Sequence, residues 1–225
     1  MAADNASSSK TLPVSIVNYS GGEYSSQYPV GNVLKAGGKA WSTKNGEKKN
    51  AALILKLGDE GLHQLTKLEY KGPGSGYTAA AGDTLVLVSR VKPTIDDVKA
   101  FSDTSSLDDA HVLKQAAQSP LTPVLFFQAK RSTSVQSHLV QACPPARFMS
   151  LLFINSIPTS TGTNIDVGSF QIFGQPAAVV TAPLPMLGAA EALRYLDAGS
   201  RPAQATAEDA ERAKFLASRI WAAPQ

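Results

Sequence analysis

The stretch Tyr28–Leu57, YPVGNVLKAGGKAWSTKNGEKKNAALILKL, decides how the chain is read. Pro29 and the glycines at 31, 37 and 38 break any sustained helix, so the first half reads as a loop with one short helical turn around Val33 and Leu34. NAALILKL (Asn50–Leu57) reads as a strand, and the Lys-Asn-Gly-Glu-Lys before it as a hairpin signal. Trp41 stands alone between loop and strand. It is expected to plug the end of a sandwich, with Leu53–Leu57 forming core.

The same segment holds six lysines (Lys35, Lys39, Lys44, Lys48, Lys49 and Lys56) against one carboxylate, Glu47. Two uses are open for them. Lys44, Lys48 and Lys49 would serve a phosphate backbone, with Trp41 stacking on an exposed base; or they form a solvated loop and a lysine-rich strand edge that discourages unwanted pairing. No arginine lies in the segment, although arginine is the usual reader of base edges.

Working outward, further strands are expected at Val14–Tyr19, Leu65–Lys71, Asp83–Val91, Pro123–Lys130, Arg147–Ile157 and Val167–Gly174. Thr94 and Ser106 stand ahead of acidic residues as helix N-caps, placing two short helices in an insertion at 94–118. Short, turn-punctuated strands without long intervening helices predict a mainly β protein, an antiparallel β-sandwich. Residues 1–10 read as a flexible arm and 11–176 as the sandwich. Residues 177–225 read as an Ala/Pro-rich linker with a helix at Leu187–Leu196 and a second helix capped by Thr206. Phe215, Leu216, Ile220 and Trp221 line one face of that second helix.

The chain has 225 residues, 43% hydrophobic and 17% charged, which provides for a sizeable core and argues against global disorder. A net charge of +3 is too mild for a dedicated polyanion binder. Cys143 is the sole cysteine, which excludes an internal disulfide and thiolate-rich zinc sites. No apolar leader precedes the sequons at Asn5 and Asn18, and no apolar run approaches the ~18 residues of a membrane span. The expectation is an intracellular protein, nuclear or ciliary/cytoskeletal, with no membrane contact.

Catalysis needs convergent titratable groups. His63, His111 and His138 are scattered, without ligand spacing. Cys143 has no evident base and reads as a semi-buried thiol. Gly72–Gly76, GPGSG, lacks the Lys-Ser/Thr of a phosphate loop and reads as a turn. No catalytic residue, metal or cofactor is expected.

Several stretches together carry a family resemblance. Asn32-Val33-Leu34, the Lys-Ala step, the lone Trp41 and Gly46-Glu47-Lys48 open it. GSGYTAAAGDTLVLVS, HLVQACPPARFMSLLFINSIPTS and GSFQIFGQP follow. From Val14 to Pro176 the chain resembles the N-terminal domain of the X-ray repair cross-complementing scaffold of single-strand-break repair. That domain belongs among the galactose-binding-like jelly rolls. The resemblance implies a non-enzymatic sandwich that binds a repair polymerase around Tyr77 and the strand Leu85–Val88, and that contacts nicked or gapped DNA. The expected function is therefore a protein-interaction module, an adaptor in a multiprotein assembly. Its contacts would be Tyr77, Leu85, Val86 and Val88, with Phe215 and Trp221 on the terminal helix. The alternative is a structural adaptor of a ciliary, axonemal or other microtubule-based complex. A carbohydrate- or lipid-head-group-binding module is a third reading.

Overall fold

The computed structural model describes residues 10–157 and 161–177. They belong to the first of two units, Met1–Ala177 and Ala178–Gln225. The expected C-terminal helices, with Phe215 and Trp221, lie outside the described residues.

Eleven strands form among the described residues: β1 (Lys10–Thr11), β2 (Val14–Tyr19), β3 (Trp41–Ser42), β4 (Lys49–Leu57), β5 (His63–Lys71), β6 (Asp83–Ser89), β7 (Thr122–Gln128), β8 (Val135–Leu139), β9 (Phe148–Asn155), β10 (Asp166–Val167) and β11 (Ser169–Pro176). Two helices, α1 (Ile95–Lys99) and α2 (Ala110–Gln118), interrupt the series after β6. The strands pair in a five-stranded sheet, β2-β4-β9-β6-β7, a four-stranded sheet, β1-β11-β5-β8, and the two-stranded β3-β10. All these pairings are antiparallel. The protein is thus the antiparallel β-sandwich expected from its strand pattern.

The core between the sheets takes Leu53, Leu55, Val86, Val88, Leu151 and Phe153 from one side and Leu65, Leu68, Tyr70, Phe170 and Ile172 from the other. A second core lies on the outer face of the five-stranded sheet. There Ala52, Ile54, Leu85, Leu87 and Leu152 pack against Val98 and Phe101, and against Val112, Ala116 and Leu121 around α2. Strands buried on both faces need no polar alternation, which is why β4, β6 and β9 read as continuous aliphatic runs. The 94–118 insertion is a roof over this sheet.

That roof corrects the expected partner face. Leu85 and Val86 are fully buried and Val88 is 1% exposed: Leu85 lies beneath the helices, while Val86 and Val88 point into the inter-sheet core. None of the three is offered to a partner.

Local signals explain the remaining elements. Thr94 caps α1 in a reciprocal box, accepting from Asp97 N at 3.1 Å while the Asp97 carboxylate accepts from Thr94 N at 2.8 Å. Asp109, rather than the expected Ser106, caps α2 by accepting from His111 N at 2.9 Å. Its second oxygen accepts from Ser105 Oγ at 2.8 Å, folding the residues before the helix into a closed turn. Lys10, expected in the arm, pairs with Gly174 as part of β1. The expected Val167–Gly174 strand divides between β10 and β11 at Gly168, where a Cβ would collide with the Lys71 carbonyl oxygen. Gly72 is held the same way against the Lys130 carbonyl, so the first glycine of GPGSG serves packing. β8 is an unexpected strand; its polar inward positions Gln136 and His138 hide the alternation.

Trp41 is fully buried. Its Nε1 donates to the Gly22 carbonyl at 2.9 Å, and its ring packs edge-on against Tyr19 and Phe153, with centroids 5.9 and 6.0 Å away. Trp41→Ala should lower unfolding stability by about 3–5 kcal/mol in denaturant melts, the range for truncating a buried aromatic.

His138 packs its ring against Phe127 with centroids 4.2 Å apart. Burial, and secondarily the Lys130 charge, hold its pKa below the ordinary 6.5. The unfolded chain therefore binds this proton more readily than the fold does. The stability this neutral ring contributes is complete above pH 6.5 and is lost as pH falls through the lowered value. Thermal melts from pH 8 to pH 5 should show a steeper acid decline for the wild type than for His138→Gln.

Candidate ligand-binding site

The loops before β3, before β6 and before β10 meet at one end of the sandwich, where Asp166 ties them together. Asp166 stands opposite Ser42 in the β3-β10 pair. Its Oδ1 accepts from Ser42 Oγ at 2.6 Å and from Asn164 Nδ2 at 2.7 Å, and its Oδ2 accepts from Ala79 N at 2.9 Å. Backbone bonds complete the knot, with Asp166 N donating to Ala79 O at 2.7 Å and Ala81 N to Asp166 O at 2.9 Å. A 97% buried carboxylate so engaged is a structural anchor; donors on every side replace the water it gives up.

Above this anchor stand three tyrosines. Tyr77 and Tyr28 meet edge-to-face with centroids 5.9 Å apart, and Tyr28 and Tyr24 at 6.3 Å. The Tyr77 hydroxyl accepts from Ala40 N at 2.9 Å, fixing the ring. Burial raises the Tyr77 pKa above the ordinary 10.0, so the phenol stays neutral. Lys39 extends over the Tyr28 ring at 5.4 Å and donates to Gln27 Oε1 at 3.2 Å. Tyr24, at the outer end of the row, is 53% exposed. Together with Asn45, Thr78, Thr163 and Asn164 these side chains line an open cleft of about 570 Å³. Thr163 Oγ1 donates to Asn45 Oδ1 at 3.1 Å, joining two walls. The arrangement offers aromatic faces beside neutral hydroxyl and amide groups, on loops braced by a rigid sheet.

Of the expected contact residues, Tyr77 lines this cleft. Lys44 and Lys48 are exposed on the neighbouring turn and Lys49 at the start of β4; Thr43 braces the turn by donating to Glu47 O at 2.9 Å and accepting from Ile165 N at 2.7 Å. Tyr24, Tyr28, Asn164 and Asp166 were not picked out by sequence reasoning, and Lys39 only as one member of the lysine cluster. Tyr24 and Tyr28 left a signal, two aromatics in a loop of glycine, serine and proline. Asp166 left none, because its partners lie 124 and 87 positions away in the chain.

A smaller cleft, about 330 Å³, opens at the other end of the sandwich among Lys56, Asp59, Glu60 and Arg147 and holds no aromatic residue. The histidines stand on separate elements: His63 on β5, His111 on α2 and His138 on β8. Burial pushes the Cys143 thiol up to about 11, which keeps it protonated and unreactive at neutral pH.

No family model matches the chain, and no curated protein matches it. Solved structures do. A chitobiase fragment from Bacteroides thetaiotaomicron superposes with a TM-score of 0.52 at 10% identity, covering 78% of this chain and 98% of its own. CBM32-3, from a family 31 glycoside hydrolase of Clostridium perfringens, gives 0.50 at 7% identity, covering 72% and 91%. A family 32 carbohydrate-binding module from Streptococcus pneumoniae EndoD gives 0.48 at 8% identity, covering 73% and 98%. At these identities the likeness to the first two shows the fold alone, a jelly-roll β-sandwich. It carries no link to the repair scaffold's domain.

Asp166→Ala should leave the Ala79 amide and the Asn164 side chain without their acceptor. The expected loss is about 1–3 kcal/mol in urea melts, the cost of stranding buried donors.

Proposed function

We propose that the protein is a non-catalytic binding module that holds a glycan segment at the loop end of its sandwich. The observation that carries this reading is the row Tyr24-Tyr28-Tyr77 facing Asn45, Thr163 and Asn164 across one open cleft. Sugar rings present apolar C–H faces that lie on aromatic rings, and hydroxyls that pair with amides and alcohols. The cleft supplies both. Its one carboxylate is already paired, so a neutral ligand suits it better than a cation. The name of CBM32-3 agrees with this reading.

Non-catalytic action is supported by how the reactive groups are employed. Asp166 anchors loops, the Tyr77 hydroxyl accepts a backbone bond, and the Cys143 thiol is buried and protonated.

A second reading keeps one specific observation. Lys44, Lys48 and Lys49 stand exposed beside the cleft, as a nucleic-acid contact of the repair-adaptor kind would use them. The polymerase-binding part of that reading loses its surface, since Leu85, Val86 and Val88 are covered. The microtubule-adaptor alternative has no residue-level feature of its own among the described residues.

One experiment separates the readings. A glycan array followed by calorimetry should find a bound oligosaccharide. Tyr24→Ala should weaken it about 3- to 10-fold, the worth of one aromatic face. Lys44, Lys48 and Lys49 changed together to Glu should leave that affinity unchanged. Salt-sensitive binding to nicked duplex, abolished by the triple charge reversal and unaccompanied by glycan binding, would establish the second reading instead. Binding to neither overturns both.

A further inference from the structure

β8 is the one sheet edge among the described residues that lacks a device against edge-to-edge pairing. Edges are commonly blunted by shortness, lysine, proline or a bulge. β1 is two residues long, includes Lys10 and is closely followed by Pro13. β2 is bulged between Ile16 and Asn18. β7 contains Pro123, and its register with β6 shifts between Val86 and Leu87. β8, VQSHL, has none of these features.

What β8 presents instead is a self-complementary edge. Val140 N donates to Thr66 O at 2.9 Å, so the pair Thr66↔Val140 extends the ladder one position beyond Lys67↔Leu139. In an antiparallel ladder, hydrogen-bonded pairs alternate with non-bonded ones. Gln136 and His138 therefore bond β5, and the amides and carbonyls of Val135, Ser137 and Leu139 point away from the sheet. The side chains of these same three residues share the outer face, where Val135 is 58% and Leu139 71% exposed.

We infer that the occupant of this edge is a second copy of the chain, paired antiparallel about a twofold axis at Ser137. Ser137 then exchanges two backbone bonds with its counterpart. Val135 pairs with Leu139 of the other copy on each side, covering the exposed apolar side chains. No like charges meet across the seam. Lys67 of one copy and Lys71 of the other stand in the same row, three strand spacings apart. That is about 14 Å, beyond a Debye length of about 10 Å. Four strands from each copy join in one continuous sheet. The dyad turns the two loop-end clefts in opposite directions, so the dimer bridges two ligands.

Sedimentation equilibrium of the full chain tests this. The mass should rise from 23.6 kDa to twice that value as concentration approaches ~100 micromolar, as expected for a weak, edge-only interface. Ser137→Pro removes an outward N–H and no bond to β5, a position where an edge strand tolerates proline. It should melt like the wild type and remain monomeric throughout, while Ser137→Ala should still dimerise. Leu139→Lys should weaken dimerisation at least tenfold, and it decides the matter should the proline variant fail to fold. A wild type that stays monomeric overturns the proposal. So does a dimer that withstands both Ser137→Pro and Leu139→Lys.

Discussion

The double burial of the five-stranded sheet is the constraint on which the molecule depends. β4, β6 and β9 carry apolar side chains on both faces, one set meeting the opposite sheet and the other the helical roof. A sheet of this kind cannot leave its outer face in water, because Ile54, Leu85, Leu87 and Leu152 would form one contiguous exposed apolar surface. The insertion between β6 and β7 is the cover for that surface. Phe101, fully buried under the roof, is as much a core residue as Phe153 on the other side. The two cores together close the strand part of the partner surface expected from the repair family, since Leu85 packs under the roof and Val86 and Val88 pack against the opposite sheet.

At the loop end the governing interaction is the Asp166 carboxylate. A buried carboxyl group is tolerated only when its hydrogen bonds are made, and here Ser42 and Ala79 come from stretches of chain far from Asp166. Satisfying the carboxylate therefore aligns the loops. Trp41 lies one residue from Ser42 in β3, so the aromatic plug and the carboxylate knot act on the same short strand. Tyr77, held by the Ala40 amide, and Tyr28, edge-to-face against it, inherit their positions from this bracing. The cleft is a by-product of closing the sandwich, and its tyrosines are held by framework bonds.

Much of the framework was legible in the sequence. The strands at Val14–Tyr19 and Asn50–Leu57 came from aliphatic runs, the Thr94 cap from its hydroxyl three residues before Asp97, and the burial of Trp41 from its isolation in a glycine-rich loop. Three features were not legible, for different physical reasons. β8 lacks apolar inward residues, because Gln136 and His138 take its inward positions, His138 packed against Phe127. Asp109 displaced Ser106 as a cap because the two compete locally and only the closed turn chooses between them. Leu85, Val86 and Val88 were read as a contact face because hydrophobic strand residues look the same whether a helix, the opposite sheet or a partner covers them.

The sequence by itself determined that this chain folds as an antiparallel sandwich with Trp41 inside. That information is local: side-chain size, β-branching, turn residues and caps act over a few neighbouring positions. Only the tertiary structure decided what the surfaces are for. The roof over Leu85, the meeting of Tyr24, Tyr28 and Tyr77, and the knot at Asp166 each join residues far apart in the chain. Pairwise distance across a folded sheet is set by register and packing, and no local pattern in the sequence records it.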